Sequence, residues 1–286
     1  MHYLVYSVIS ILLWACLATL VAHLTHVPPL FLLAVTLLAG GSLSIFRYRR
    51  WSFDWRLLVF GVSGVFGYHF LLIMAFRLAD PVAANLLNYL WPLLIVVLTP
   101  LLLSGFQLTA RHLLGALLGF AGAYVLIGFS PSITDESSIV GYLMALAAAF
   151  VWAGYSLLSK RFVTMSTASV GLFCLISGAL AILLHLLTEP VFSLNLGDGW
   201  RLLLLGLGPM GLAFYTWDAG LKRGDPRVIG TLSYMTPLLS TLLLAWCTGR
   251  ALSREVLLAM LLIVGGAVIG GFSWKRREPA AIAGGQ

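Results

Sequence analysis

The sequence predicts an all-α polytopic membrane protein: ten transmembrane helices forming two inverted five-helix repeats around a central cavity. Three observations lead there. Hydrophobic residues make up 60% of the 286 positions and charged residues 9%, against about a quarter charged in a soluble domain. The apolar residues fall in runs that suit the roughly 20 residues a bilayer-spanning helix needs. Finally, the phrase Asp80-Pro81, Asn88-Tyr89, Pro92-Leu93-Leu94 returns as Asp225-Pro226, Ser233-Tyr234, Pro237-Leu238-Leu239 at one constant shift.

Taken in order, the runs predict spans at 3–22, 30–46, 57–76, 82–103, 111–129, 139–159, 168–187, 200–221, 228–247 and 255–272. The first has no basic segment before it and no small-residue cleavage site after it, so it reads as a retained helix. The fourth and ninth open on Asp-Pro, and Pro suits a first helical position because an N–H there has no partner. Their second prolines, Pro92 and Pro237, fall inside the run, where each frees a carbonyl and kinks the helix. Such a kink persists in lipid only where it is buried in protein or faces a wet cavity. In the sixth span Val151-Trp152-Ala153 echoes Leu13-Trp14-Ala15 of the first. Glycines at 115, 119 and 122 in the fifth span and at 265, 266 and 270 in the tenth allow close approach, within the chain or in a weak homodimer.

The most polar linker, 130–138, separates a first repeat (3–129) from a second (139–273), with a tail at 274–286. Five helices per repeat is an odd number, so the second copy enters the membrane inverted, a device of secondary transporters. With the N-terminus inside, thirteen of the seventeen Lys and Arg fall on the cytoplasmic side; Arg77, Arg201, Arg250 and Arg254 fall outside. That bias predicts both termini in the cytoplasm and the linker outside. It also accounts for the net charge of +7 without nucleic acid. The three cysteines, all within apolar runs, imply neither a disulfide framework nor a metal site. No cofactor is expected.

Ten spans, an early Trp-Ala pair in each half and Asp-Pro…Pro-Leu-Leu in spans four and nine resemble the drug/metabolite transporter superfamily, in its EamA-type ten-helix branch. The resemblance runs from about Leu12 to Gly271. The stretch Asn88-Tyr89-Leu90-Trp91-Pro92-Leu93 is similar to the bacterial aromatic amino acid exporters. What the resemblance implies is an inner-membrane exporter with a small amphipathic substrate.

Candidate site residues follow from helical spacing. Positions three and four apart share a face, so Asn85, Asn88, Tyr89 and Pro92 form one stripe, and Gly230, Ser233, Tyr234 and Pro237 its counterpart. Polar stripes are costly against lipid and point inward, to a cavity or to a neighbouring helix. Tyr68 and His69, Trp152 and Tyr155, and Tyr215 and Trp217 lie in spans three, six and eight, with Tyr68, Trp152 and Tyr215 too deep for an interfacial belt. They suit an aromatic substrate by ring contact, or alternatively pack helices. His69 is a candidate proton carrier, or a structural histidine. Asp218 reads as the one carboxylate inside a span, with Lys222 one turn on; near the cytoplasmic end this pair suits a gate, with Pro92 and Pro237 as hinges. The expected function is export of aromatic amino acids across a bacterial-type inner membrane. The alternatives are transport of a drug, nucleoside, sugar or carboxylate, or an intramembrane enzyme, for which the spans hold no clustered acids or nucleophile–base pair. Nothing resembles the repeated filter loop of a channel.

Overall fold

The computed structural model describes residues 2–127, 136–162, 164–248 and 254–271. Most of the expected linker (130–135) and the tail (274–286) lie outside the described residues. Among those described there is no strand, and the helices are α1 (Tyr3–Val21), α2 (Pro29–Ser42), α3 (Trp55–Leu78), α4 (Pro81–Leu102), α5 (Ala110–Ile127), α6 (Glu136–Arg161), α7 (Ser169–Thr188), α8 (Leu196–Arg223), α9 (Pro226–Cys247) and α10 (Arg254–Gly271). Seven of them, α1, α3, α4 and α6 to α9, are long and apolar enough to cross a bilayer, and shorter apolar helices join them. The protein is an all-α polytopic membrane protein.

Helix ends depart from the expected limits for local reasons. The eighth helix begins four residues early because Asn195 and Asp198 form a reciprocal capping box, which satisfies two orphan N–H groups. Asp198 therefore lies inside the helix, and Asp218 is not the only carboxylate within a span. The second helix stops at Ser42, just past Gly40-Gly41, and the chain continues as a tight turn over Ile45–Arg50. Both glycines are close-approach positions: a Cβ on Gly40 would stand 2.5 Å from the Met210 carbonyl of α8.

Irregular backbone recurs at matched places. The third helix contains a π-helical turn at Ser63–Gly67, and the eighth one at Gly208–Leu212, 145 residues on. Asp80 and Asp225, separated by the same interval, cap α4 and α9: their carboxylates accept from the backbone N–H of Ala83 and Arg227. Each of these helices is then interrupted, α4 at Tyr89–Leu90 and α9 at Ser233–Tyr234, and resumes in the turn that carries Pro92 or Pro237.

Packing divides the helices into groups. The first helix lies against α8 and α9, and α6 lies against α3 and α4; α2 pairs with α7, and α5 with α10. The glycine faces join α5 to α10 within the chain, since a Cβ on Gly115 would meet the Gly266 carbonyl at 2.7 Å. Gly265 has no such neighbour. The broken helices α4 and α9 meet where a Cβ on Gly230 would stand 2.9 Å from the Pro92 carbonyl.

Candidate functional site

Between the α1–α8–α9 group and the α3–α4–α6 group stands a continuous cluster of aromatic rings. Trp14 of α1 is its hub, with centroids 5.9 Å from Trp152, 6.2 Å from Trp91, 6.3 Å from Phe214 and 5.1 Å from Trp217. Trp152 of α6 also touches Tyr68 at 5.0 Å, Tyr155 at 5.6 Å and Phe214 at 5.7 Å. His69 faces Tyr68 at 4.8 Å and Phe214 at 5.8 Å. Most of these contacts are edge-on or tilted, the geometries that ring quadrupoles favour.

Backbone irregularity makes room for this. The π turn of α3 carries Gly64, whose missing side chain accepts the Tyr155 ring: a Cβ would stand 2.2 Å from it. The π turn of α8 presents the Pro209 carbonyl to the indole N–H of Trp14 at 3.1 Å. Trp217 donates its indole N–H to the Ser156 hydroxyl at 3.0 Å, joining α8 to α6. Polar atoms within the cluster are few. Asn88 is 4% exposed; its amide N–H donates to the Tyr68 hydroxyl at 3.1 Å, while its carbonyl oxygen has no hydrogen-bond partner among the described residues. A buried acceptor left so costs about 1–3 kcal/mol. His69 bonds through Nδ1 to the Val65 carbonyl at 2.7 Å.

The structure thus brings together Tyr68, His69, Asn88, Trp152 and Tyr155. Asn85 is half-buried one turn before Asn88, and Tyr89 sits at the interruption of α4. Tyr215, Ser233 and Tyr234 are not part of the cluster. The Tyr215 hydroxyl donates to the Gly40 carbonyl of α2 at 3.1 Å. Ser233 donates to the Ile229 carbonyl of its own helix at 2.8 Å. Tyr234 is fully buried in a separate core with Val96, Ala116, Ala123, Leu238 and Ile263, its ring seated on Gly119. Sequence reasoning missed Trp14, Trp91 and Phe214 as site members, and named Trp217 only as an aromatic of the eighth span beside Tyr215. Helical spacing offered one signal, since Phe214 and Trp217 are three apart and share a face, whereas Tyr215 and Trp217 are two apart and do not.

Polar networks flank the cluster at both ends. At one, Asp218 Oδ2 accepts from Lys222 at 2.8 Å and from the Thr167 hydroxyl at 2.6 Å. Beside them the Lys160 ammonium of α6 donates to the carbonyls of Leu221, Lys222 and Gly224 at 2.7–3.2 Å. A cation suits a helix C-terminus, where carbonyls lack partners, and Lys160 ties α6 to α8. At the other end Glu189, its side chain 2% exposed, accepts from the backbone N–H groups of Leu30 and Phe31 at the start of α2. It also pairs with Arg77 of α3 and with His185 Nδ1, the latter at 3.0 Å.

The EamA-like transporter family matches residues 1–128 and, a second time, residues 139–271. The chain belongs to this family. It is a membrane transporter, and relatives extend over nearly its whole length. The aromatic amino acid exporter YddG of Ancylobacter novellus is 42% identical over 91% of this chain and 93% of its own. A probable amino-acid metabolite efflux pump of Salmonella typhimurium is 25% identical over 91% of each chain. A solved crystal structure superposes with a TM-score of 0.89 at 41% identity, covering 94% of this chain and 96% of the other.

Proposed function

We propose that this transporter exports aromatic amino acids by alternating access, with the substrate held in the ring cluster between the two helix groups. The observation that carries the reading is the buried Asn88 carbonyl oxygen, which lacks a partner among the described residues and lies beside Tyr68 and its neighbouring rings. An α-ammonium group would satisfy that oxygen, and the rings would receive an aromatic side chain edge to face. The relatives named as aromatic amino acid exporter and amino-acid efflux pump support the same class. Nothing here requires chemistry on the substrate, a cofactor or an enzyme.

Inverted duplication supplies the mechanism. It is supported by the matched π turns, the matched caps and interruptions, and the double family match. On this reading residues 3–129 and 139–273 are the repeats, 130–138 is an extracytoplasmic linker, and both termini are cytoplasmic. The Lys160 and Asp218–Lys222 network closes the cytoplasmic end, while the Glu189 network ties α2, α3 and α7 at the opposite one. Pro92 and Pro237 act as hinges, because interrupted helices absorb the geometric change between states. A monomer is sufficient.

Counterflow in liposomes holding the purified protein tests the proposal. Labelled phenylalanine and tryptophan should exchange, and threonine and a nucleoside should not. Exchange of the nucleoside alone would assign the cluster to another solute. Spin-label distances across the two ends should shift in opposite senses in Pro92→Ala and Pro237→Ala; parent-like distances in both would remove the hinges.

A further inference from the structure

The turn between α2 and α3 is unlike the other connections. Four arginines, Arg47, Arg49, Arg50 and Arg56, stand exposed within ten residues, and none has a carboxylate within ion-pair distance among the described residues. Large apolar side chains are exposed beside them: Phe46 at 97%, Trp55 at 68% and Phe53 at 66%. The segment is nevertheless held in place. The Trp51 indole N–H donates to the Ser44 hydroxyl at 3.0 Å, and the Ser52 backbone N–H to the Ser169 hydroxyl of α7 at 3.0 Å. Phe46, Arg47, Tyr48, Arg49 and Arg50 together line an open recess of about 530 Å³.

We infer that this turn is a binding site for the headgroup of an anionic phospholipid in the adjoining leaflet. Guanidinium forks match phosphate oxygens in a bidentate way, which accounts for arginine rather than lysine at all four positions. A soluble anion would engage the arginines but has no use for Phe46, Phe53 and Trp55. Apolar rings beside unpaired cations suit the boundary between acyl chains and headgroups, where aromatic side chains concentrate. Basic residues next to a span are also where anionic lipid is attracted. Because the turn is closed by Trp51 on Ser44 and fastened to α7 by Ser52 rather than floating, an occupied site would brace α7 against the leaflet.

Native mass spectrometry of the purified full chain in detergent, titrated with phosphatidylglycerol or phosphatidylcholine, tests the inference independently of transport. The parent should retain phosphatidylglycerol in preference to phosphatidylcholine. The triple variant R47Q/R49Q/R50Q should bind it about a hundredfold more weakly, at about fivefold per arginine removed. Phe46→Ser keeps every charge, removes only a side chain that packs against nothing in the protein, and should weaken binding by a smaller factor; it serves in place of the triple variant if that fails to fold. Equal retention of the two lipids by the parent, or parent-like binding by both variants, would overturn the site. Displacement of phosphatidylglycerol by excess inorganic phosphate would assign the recess to a soluble anion and overturn the lipid assignment.

Discussion

The two copies of the Asp-Pro phrase share a backbone and differ in what their side chains meet. In both, an aspartate caps the helix, a proline follows, and the helix breaks and restarts. Yet Asn88 of α4 reaches into the ring cluster and bonds to Tyr68, whereas Tyr234 of α9 is sealed against α5 and α10. The two ends of the cluster also differ: Lys160 of α6 crosses to the C-terminus of α8, within the second half, whereas Glu189 joins the second half to Leu30 and Arg77 of the first. The difference teaches that duplication preserves helix geometry more strictly than chemistry. One stripe has become the candidate site and the other a structural core.

Substitutions in the ring cluster and in the sealed core should expose that divergence. The largest effect on transport is expected from Trp152→Leu. It removes ring contacts with Trp14, Tyr68, Tyr155 and Phe214, and transport by counterflow should fall about a hundredfold, equivalent to about 3 kcal/mol for two or three lost substrate contacts. Tyr234→Ala should instead act on stability, lowering it by about 3–5 kcal/mol as expected for a large buried ring, with exchange per folded molecule close to parent. Thermal unfolding in detergent read beside counterflow separates the two. A transport defect in Tyr234→Ala without loss of stability would erase the distinction between the copies.

A smaller contrast lies in the caps. Asp225 lies between α8 and α9. Burial there pushes its carboxyl up, but hydrogen bonds from Arg227, that residue's charge and nearby His112 outweigh burial and hold it below the ordinary carboxylate range. Its contribution is complete above the unfolded carboxylate value and is lost as pH falls through the lower folded one, so on the acid side of about 4 stability should drop in the parent more than in Asp225→Asn. At neutral pH Asp225→Ala should cost about 2 kcal/mol and Asp80→Ala about 1, the span observed for helix caps. Asp80 has Val82 where Asp225 has Arg227. Melting curves at the two pH values provide the check.

Much of this was legible in advance. Helix positions followed from run length, the starts of α4 and α9 from Pro81 and Pro226, and a break in each from the second prolines; the capping by Asp80 and Asp225 was not anticipated. The i,i+4 relation of Asp218 and Lys222 anticipated their contact at 2.8 Å. Spacing identifies a stripe on a helix, however, and not the neighbour it faces. Tyr234 looks equivalent to Tyr89 in sequence, and Tyr215 like Tyr68 is an aromatic deep in a span, but Tyr215 turns toward the Gly40–Gly41 step of α2 and Tyr234 toward Gly119. In both cases the deciding residue is a glycine on another helix, far away in the chain. Trp14 was visible only as half of a sequence echo, and its position as hub depends on the π turn that brings Pro209 to it.

Equilibrium binding of labelled phenylalanine to the purified parent, Asn88→Ala and Ser233→Ala tests the central claim most directly. The two substitutions fall at the same place in the repeat, and each removes one buried polar side chain. The account predicts about tenfold weaker binding for Asn88→Ala, equivalent to one lost hydrogen bond of about 1.4 kcal/mol, and parent-like binding for Ser233→Ala. Equal weakening by both, or weakening by Ser233→Ala alone, would contradict it.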